Sequence, residues 1–130
     1  MLIEGLVARL IANSAIAAIV GQRVQPEPAP EDLSLYPLIT YKVASDVTTY
    51  NMQGEDGLVT CRVVFTCLGV RYGDARSTAL AVKLSLSNFA GILSDGTPID
   101  GIEIVNIADG FGDGSRVYRT AVHAMCRYNF

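Results

Sequence analysis

The chain contains 130 residues, of which 50% are hydrophobic and 18% are charged, and its formal net charge is −3. This length predicts one domain over residues 1–130, and the composition excludes a disordered chain because it supplies enough apolar surface to build a core. The acidic balance argues against a globally basic surface of the kind that attracts nucleic acids.

Residues 1–20 form the first predicted element and are mostly apolar. Glu4 and Arg9 interrupt the apolar run and no basic residue precedes it, so the segment fits neither a signal peptide nor a membrane span. Its apolar residues recur at helical spacing, which predicts a soluble amphipathic helix and no association with a membrane.

Asn13 predicts a break in this helix, because an asparagine side chain can cap a short second helix over residues 15–20. Gly21 is a typical helix end. A Pro-rich stretch over residues 23–37 follows, and its prolines favour extended backbone. The sequence leaves open whether this stretch is an ordered arm or a mobile loop.

Residues 38–50 and residues 57–67 alternate between apolar and polar side chains, which predicts two half-buried strands. Turn residues separate them over residues 51–57, so the pair is predicted to be a long β-hairpin. Because residues 47–58 are mostly polar, they cannot all cover a core. We therefore expect the tip of the hairpin to project and to need a partner.

Apolar residues at steps of three and four over residues 75–93 predict a helix of about five turns. Residues 101–108 and residues 116–130 alternate again, which predicts two more strands, with Ile102 on one face and Ile107 on the other. The predicted fold is α+β, with a mainly antiparallel four-stranded sheet, helices packed on one face, and a long projecting β-hairpin.

The three cysteines are Cys61, Cys67 and Cys126. The first two lie six residues apart on one predicted strand, about 20 Å apart, which is too far for a disulfide. Because the chain also lacks a Cys-x-x-Cys pair, we expect three reduced core thiols, as in a cytosolic protein, and no zinc site.

No set of residues predicts catalysis, a metal site or a cofactor. An enzyme would have to centre on His123, the only histidine, and Asp113, but no nucleophile turn accompanies them. The Gly-rich residues 109–115 lack the spacing of a phosphate-binding or calcium-binding loop, so they are interpreted as a wide hairpin turn.

Arg62, Arg119, His123 and Arg127 are predicted to lie together on the polar face of the sheet. A solvated or subunit-contacting face is the favoured interpretation of these four side chains. The alternative function that they support is a small-ligand-binding or RNA-binding α+β module.

Four motifs together resemble a known family. They are AIAAIVG at residues 15–21, YPLITY at residues 36–41, CRVVFTC at residues 61–67 and YGDAR at residues 72–76. The chain resembles the small tail-completion proteins of long-tailed bacteriophages and prophages, also described as tail terminators or tail-to-head joining proteins. The resemblance extends over residues 2–130.

The resemblance implies a structural virion protein without catalytic activity or transferable active residues. Such proteins form homo-oligomeric rings, usually hexamers, at the head-proximal end of the tail tube, after assembly in the host cytoplasm. The ring stops polymerisation of the tail tube protein and docks to a head connector or stopper protein, while DNA passes through without specific binding.

The hairpin tip and the Pro-rich stretch are predicted to contact subunits or partners. These interface residues are Val47, Thr48, Tyr50, Asn51, Met52, Gln53, Glu55 and Asp56 in the hairpin, and Glu27, Glu31 and Asp32 in the Pro-rich stretch.

Overall fold

Three helices and six strands make up the computed structural model, which describes residues 2–21, 23–26, 36–51, 54–87, 89–92, 98–111 and 117–129. In chain order the elements are α1 (Leu2–Ala12), α2 (Ser14–Val20), β1 (Val24–Pro26), β2 (Leu38–Asn51), β3 (Gly54–Gly69), α3 (Tyr72–Leu86), β4 (Gly91–Ile92), β5 (Pro98–Phe111) and β6 (Tyr118–Asn129). The strands form one sheet in the order β1-β2-β3-β6-β5-β4.

The α+β class is confirmed, but the prediction of four strands is wrong because the described residues form a sheet of six strands. The four predicted strands form its antiparallel centre, β2-β3-β6-β5. At one edge β1 pairs in parallel with β2, with Val24 opposite Ile39, and at the other edge Gly91 of β4 pairs with Ile99. Strands of three and two residues are too short to show an alternating pattern in the sequence.

Capping explains the two N-terminal helices. The Asn13 side chain accepts hydrogen bonds from the backbone N–H groups of Ala15 and Ile16, and it therefore caps α2 as predicted. Gly21 ends α2 with φ of 62°, a left-handed conformation that residues with a Cβ rarely adopt.

The third helix is shorter than predicted, because it ends at Leu86 instead of continuing through residue 93. Ser87 is extended, with ψ of 129°, and the chain then turns back. Phe89 donates its N–H to the Leu86 carbonyl and accepts a bond from the Ile102 N–H, so it begins the β4–β5 edge. It still packs on the core, which is why the sequence pattern continues past the helix.

A register shift between Ile104 and Asn106 in β5 corrects a predicted side-chain direction. The extra residue turns Ile107 onto the same core as Ile102, not the opposite face, while Val105 is 41% exposed. A β-bulge has this effect because it interrupts the period of two.

One face of the sheet packs against all three helices and forms the main core. Phe65 lies at its centre, and its register neighbours are Tyr41 on β2 and Val122 on β6. Leu10 of α1, Ile16 of α2 and Leu86 of α3 belong to the same buried cluster, although they come from different helices. The remaining face of the sheet, called the open face below, carries no helix among the described residues.

Exposure along α3 predicts which substitutions destabilise the fold. Leu86→Ala should lower the free energy of unfolding by about 2–5 kcal/mol because the leucine is fully buried. Leu84→Ala is the matched control on the same helix; this side chain is 81% exposed, and we expect a change within about 0.5 kcal/mol. Denaturant titration of both variants checks this, and equal losses would contradict the assignment of the core.

Candidate functional site

A cluster of hydrogen bonds around Asp109 joins the start of α3 to the ends of β5 and β6. One carboxylate oxygen of Asp109, Oδ2, accepts from the Tyr72 hydroxyl at 2.9 Å. The other, Oδ1, accepts from Thr120 Oγ1 at 3.0 Å and from Arg76 Nη1 at 3.2 Å. The Tyr118 ring meets the Tyr72 ring edge to face, with centroids 5.9 Å apart.

These contacts make the Asp109 cluster an anchor. The hydrogen bond from Tyr72 is the main cause that lowers the pKa of Asp109, and Thr120 and Arg76 lower it further. The same hydrogen bond raises the pKa of Tyr72. Because both shifts move the groups away from neutral pH, the pair is not poised for acid–base chemistry. Asp109, which sequence analysis assigned to a loop, lies within β5; Asp113 lies outside the described residues.

A second group of polar side chains, the basic row, lies on the open face and consists of Lys42, Arg62 and His123. Lys42 and His123 are the register partners of Val64 from the two neighbouring strands. Arg62 is two residues before Val64, and its Nη2 lies 3.4 Å from His123 Nδ1. Strand order therefore brings together three residues that lie far apart in the sequence.

The surroundings of the basic row disfavour the protonated form of His123. Partial burial is the main cause that lowers the pKa of His123, and the charges of Arg62 and Lys42 lower it further. The Arg62 Nε atom is buried and has no hydrogen-bond acceptor in the part of the chain that the structure describes.

The predicted basic strip is only partly present. Arg127 donates to Glu103 at 3.4 Å, so a carboxylate offsets its charge. Arg119 lies near Tyr36 at the opposite end of the face, where burial raises the pKa of the tyrosine and Arg119 opposes that shift. Arg62 and His123 remain together, joined by Lys42, which the sequence pattern did not reveal. The alternative ligand-binding or RNA-binding function therefore loses the continuous strip on which it was based.

An apolar patch lies on the helical side of the molecule and consists of Leu80, Leu84 and Ile92. Their side chains are 45%, 81% and 74% exposed. Leu84 and Ile92 also line a groove of about 450 Å³, together with Ala8 of α1. Exposed apolar side chains next to a concave surface are typical of a protein–protein contact.

Arg9 lines this groove and connects the residues on its inner side. Its Nε donates to the Ser85 carbonyl at 3.0 Å, and its guanidinium carbon lies 3.9 Å from the centroid of the Phe89 ring. The first contact satisfies a carbonyl in the last turn of α3, and the second is a cation–π interaction. The Arg9 side chain thus bridges α1 to α3.

The three cysteines are reduced thiols and are buried in the core. Cys61 and Cys126 are register partners on β3 and β6, a proximity that sequence spacing alone did not suggest. Burial raises the pKa of Cys67 and of Cys126 to about 12. Thiols with such pKa values are poor nucleophiles and poor metal ligands at neutral pH.

The predicted interface residues of the hairpin fall in two strands. Val47, Thr48, Tyr50 and Asn51 lie in β2, and Glu55 and Asp56 lie in β3. Pairing of the two strands continues to Asn51 opposite Gly54. Five further predicted interface residues lie outside the described residues, namely Glu27, Glu31, Asp32, Met52 and Gln53.

Within the described ranges, no group of three or more His, Cys, Asp or Glu side chains is arranged to hold a metal ion. In the same part of the chain, none of the helices has the length and apolar character required to cross a membrane.

Comparisons with known proteins agree with an assembly role. The model of the family described as "Tail completion protein gp17" matches residues 4–129. A chain from the solved structure titled "Virion of native gene transfer agent (GTA) particle" superposes with a TM-score of 0.79 at 16% identity, covering 96% of this chain and 92% of that chain. This likeness shows a shared fold. A search of curated proteins finds no significant match.

In the part of the chain that the structure describes, fold and surface present an apolar patch and a basic row, which are features of a protein that makes contacts. The chain belongs to the tail completion protein gp17 family, because the family model covers nearly its whole length. It is therefore a structural protein of a bacteriophage-type virion and not an enzyme, as the resemblance in its sequence implied.

The Asp109 cluster predicts a specific pH dependence of stability. Because the pKa of Asp109 is lowered in the folded state, the carboxylate stabilises the fold above its unfolded pKa of about 3.9, and this contribution is lost as pH falls through the folded pKa. Asp109→Asn should therefore be less stable than wild type at neutral pH and equal to it in strong acid. Denaturation midpoints measured over a pH series test this; a gap that persists unchanged in acid would contradict it.

His123 provides a direct test of the basic row. Arg62→Ala should raise the pKa of His123, because it removes a neighbouring positive charge and part of the burial. NMR titration of the ring protons measures this without ambiguity, since the chain has one histidine. Arg127→Ala is the control, and we expect it to leave the pKa unchanged because Glu103 engages Arg127. An unchanged or lowered value in Arg62→Ala would show that the two side chains do not interact in solution.

A lowered pKa of His123 also has a stability consequence. The unfolded state binds a proton more readily than the folded state, so this residue makes the protein more stable as pH rises from the lowered pKa to about 6.5.

Proposed function

We propose that the chain forms a ring at the head-proximal end of a phage tail tube, where it ends tube polymerisation and joins the tail to the head. Its partners are further copies of itself, the tail tube protein, and a head connector or stopper protein. A hexamer is the expected ring. DNA passes through the lumen without specific binding. Copies are assembled in the host cytoplasm and become part of the virion.

Family membership over residues 4–129 is the observation that carries this proposal. Completion of a tail requires a protein that binds the end of a polymer and stops its growth. A protein fulfils such a role by binding through its surfaces and needs no catalytic group. This agrees with the Asp109 cluster, whose hydrogen bonds join α3 to the sheet.

The register of the hairpin supports a contact role for its tip. Pairing between β3 and β6 ends at Leu58 opposite Asn129, whereas pairing between β3 and β2 continues to Gly54. Residues 54–57 therefore have a strand neighbour on one side only, within the described part of the chain. We infer that this end of the ribbon projects and is stabilised by a neighbouring subunit, since two-stranded ribbons are marginal alone.

The apolar patch supplies a second, different surface. A closed ring with one type of contact joins two unlike faces of the subunit, so that each copy uses one face towards each neighbour. Leu84 and Ile92 are too exposed to stabilise the monomer. Their burial against the tube or a neighbouring subunit would contribute to assembly by the hydrophobic effect.

The charge of the chain suits a conduit for DNA. A lumen that holds DNA tightly would need many lysine or arginine contacts to phosphate. The chain instead has 10 basic and 13 acidic residues.

A capping experiment tests the proposal. Tail tube protein is polymerised with and without the full chain, and tube lengths and end structures are measured by electron microscopy. We expect shorter tubes with a ring at one end. Tubes of unchanged length without rings would contradict the proposed function.

Leu84→Glu should raise the concentration needed for capping by at least about tenfold, because it places a charge in the apolar patch. Its thermal stability should remain close to that of wild type, since the side chain lies outside the core. Val70→Glu is the control, as Val70 is also exposed (43%) but lies outside the groove. Equal capping by wild type and Leu84→Glu would remove the patch from the interface.

A further inference from the structure

We propose that the basic row on the open face of the sheet is the docking site for the acidic hairpin tip of a second copy of this chain. The basic row is Lys42, Arg62 and His123, and the acidic tip is defined by Glu55 and Asp56. The inference rests on the proposed function, because it names two surfaces that meet in the ring.

The receiving surface lies on the central strands of the sheet. Lys42 and His123 flank Val64, which is 6% exposed although no described helix covers it. Arg62 is paired in register with Met125, so its long side chain also lies over the central strands. An acidic strand laid on this face would meet the positive charges of Lys42 and Arg62.

The basic row lacks an anionic partner in the described part of the chain. The two described salt bridges involve Arg76 and Arg127. The described side-chain contact of Arg62 is instead with the imidazole ring of His123, at 3.4 Å. The buried Arg62 Nε has no acceptor among the described residues, and a buried donor without an acceptor is costly. A carboxylate against this guanidinium would form the charge-assisted, two-pronged pair that arginine favours.

The chemistry of the tip is complementary. Between Lys42 and Arg62 the chain carries three carboxylates, Asp46, Glu55 and Asp56, and no basic residue or histidine. Of these, Glu55 and Asp56 are adjacent in the sequence at the tip, whereas Asp46 lies opposite Cys61, further from the turn. The two tip carboxylates belong to a segment that has a described strand neighbour on one side only, as the register of β3 shows.

Geometry requires the tip to come from another copy. Arg62 and Glu55 lie on the same extended strand, seven positions apart, which corresponds to about 23 Å. The hairpin leads away from the basic row of its own chain and cannot fold back onto it while the strands remain paired. Contact between the tip and the basic row is thus a contact between unlike surfaces of two subunits, which is the type that generates a ring.

Nucleic acid is the less favoured occupant. Binding to a phosphate backbone uses several lysine and arginine side chains along a track. Arg127 on the same face is paired with Glu103, which leaves a group of only two permanent cations in the basic row.

Charge reversal tests the docking directly. Self-association of the full chain is measured by sedimentation velocity, alone and with tail tube protein. The variants are Lys42→Glu, Arg62→Glu, the tip pair Glu55→Arg with Asp56→Arg, and a combination of Arg62→Glu with the tip pair. The control is Arg71→Glu, which makes the same charge change at an exposed position outside the sheet. Circular dichroism verifies that each variant is folded, and Lys42→Glu provides an exposed substitution should Arg62→Glu destabilise the monomer.

We expect each reversal on either surface to raise the dissociation constant by at least about tenfold, and the combination to restore a large part of the loss. Arg71→Glu should associate like wild type. Self-association that is unaffected by Lys42→Glu and by the tip pair would overturn the docking proposal, and so would a wild-type chain that stays monomeric both alone and with the tube protein.

The same measurements separate the two proposals. Wild-type and row variants that cap tubes equally well would overturn the docking site and leave the proposed function intact. Charge-dependent association without capping would support the docking site and count against the proposed function. Binding of single-stranded RNA or DNA that Arg62→Glu abolishes, without any effect on self-association, would assign the basic row to nucleic acid instead.

Discussion

Burial of a single face of the sheet beneath three helices is the constraint on which the rest of this structure depends. The central strands β3 and β6 present Phe65, Val122 and their neighbours to α3, and the two N-terminal helices complete the cover. Two sets of polar contacts fix the helices on the sheet. The Asp109 cluster attaches the start of α3 to the sheet, and Arg9 attaches its end to α1. Gly69 allows the turn between β3 and α3, since a Cβ there would lie only 3.0 Å from Asp74 Cβ.

A consequence is that the two sides of the molecule have different chemistry. The helical side exposes apolar residues around Leu84, because α3 buries its opposite side, including Val82 and Leu86, against the core. The open face carries the alternate residues of the same strands that form the core, so Arg62 and Val64 lie on it while Val63 and Phe65 belong to the core beneath the helices. Unlike faces on one subunit are the requirement for a ring built from one repeated contact.

Long periodic segments could be predicted from the sequence, and features that depend on strand order could not. The four central strands, the caps Asn13 and Gly21, and the start of α3 follow from alternation and local chemistry, and family motifs carried the function. The edge strands were missed because two or three residues give no period, and the bulge near Val105 reversed the expected face of Ile107. The predicted end of α3 lies too far along the chain. Phe89 packs on the core from the turn that follows the helix, so its apolar side chain continues the helical spacing of the sequence.

The same distinction explains why the basic row was not predictable. Arg62 and His123 lie 61 positions apart, and Lys42 reaches them only because β2 and β6 both pair with β3. The Asp109 cluster shows the contrasting outcome, in which a charged group assembled by strand order finds its counter-charge within the chain and strengthens the fold. In the basic row, burial and the two neighbouring cations disfavour protonation of the imidazole, and no described carboxylate offsets these charges. A buried guanidinium nitrogen without a described acceptor, next to a second cation, is better explained by a carboxylate from a bound partner than by folding.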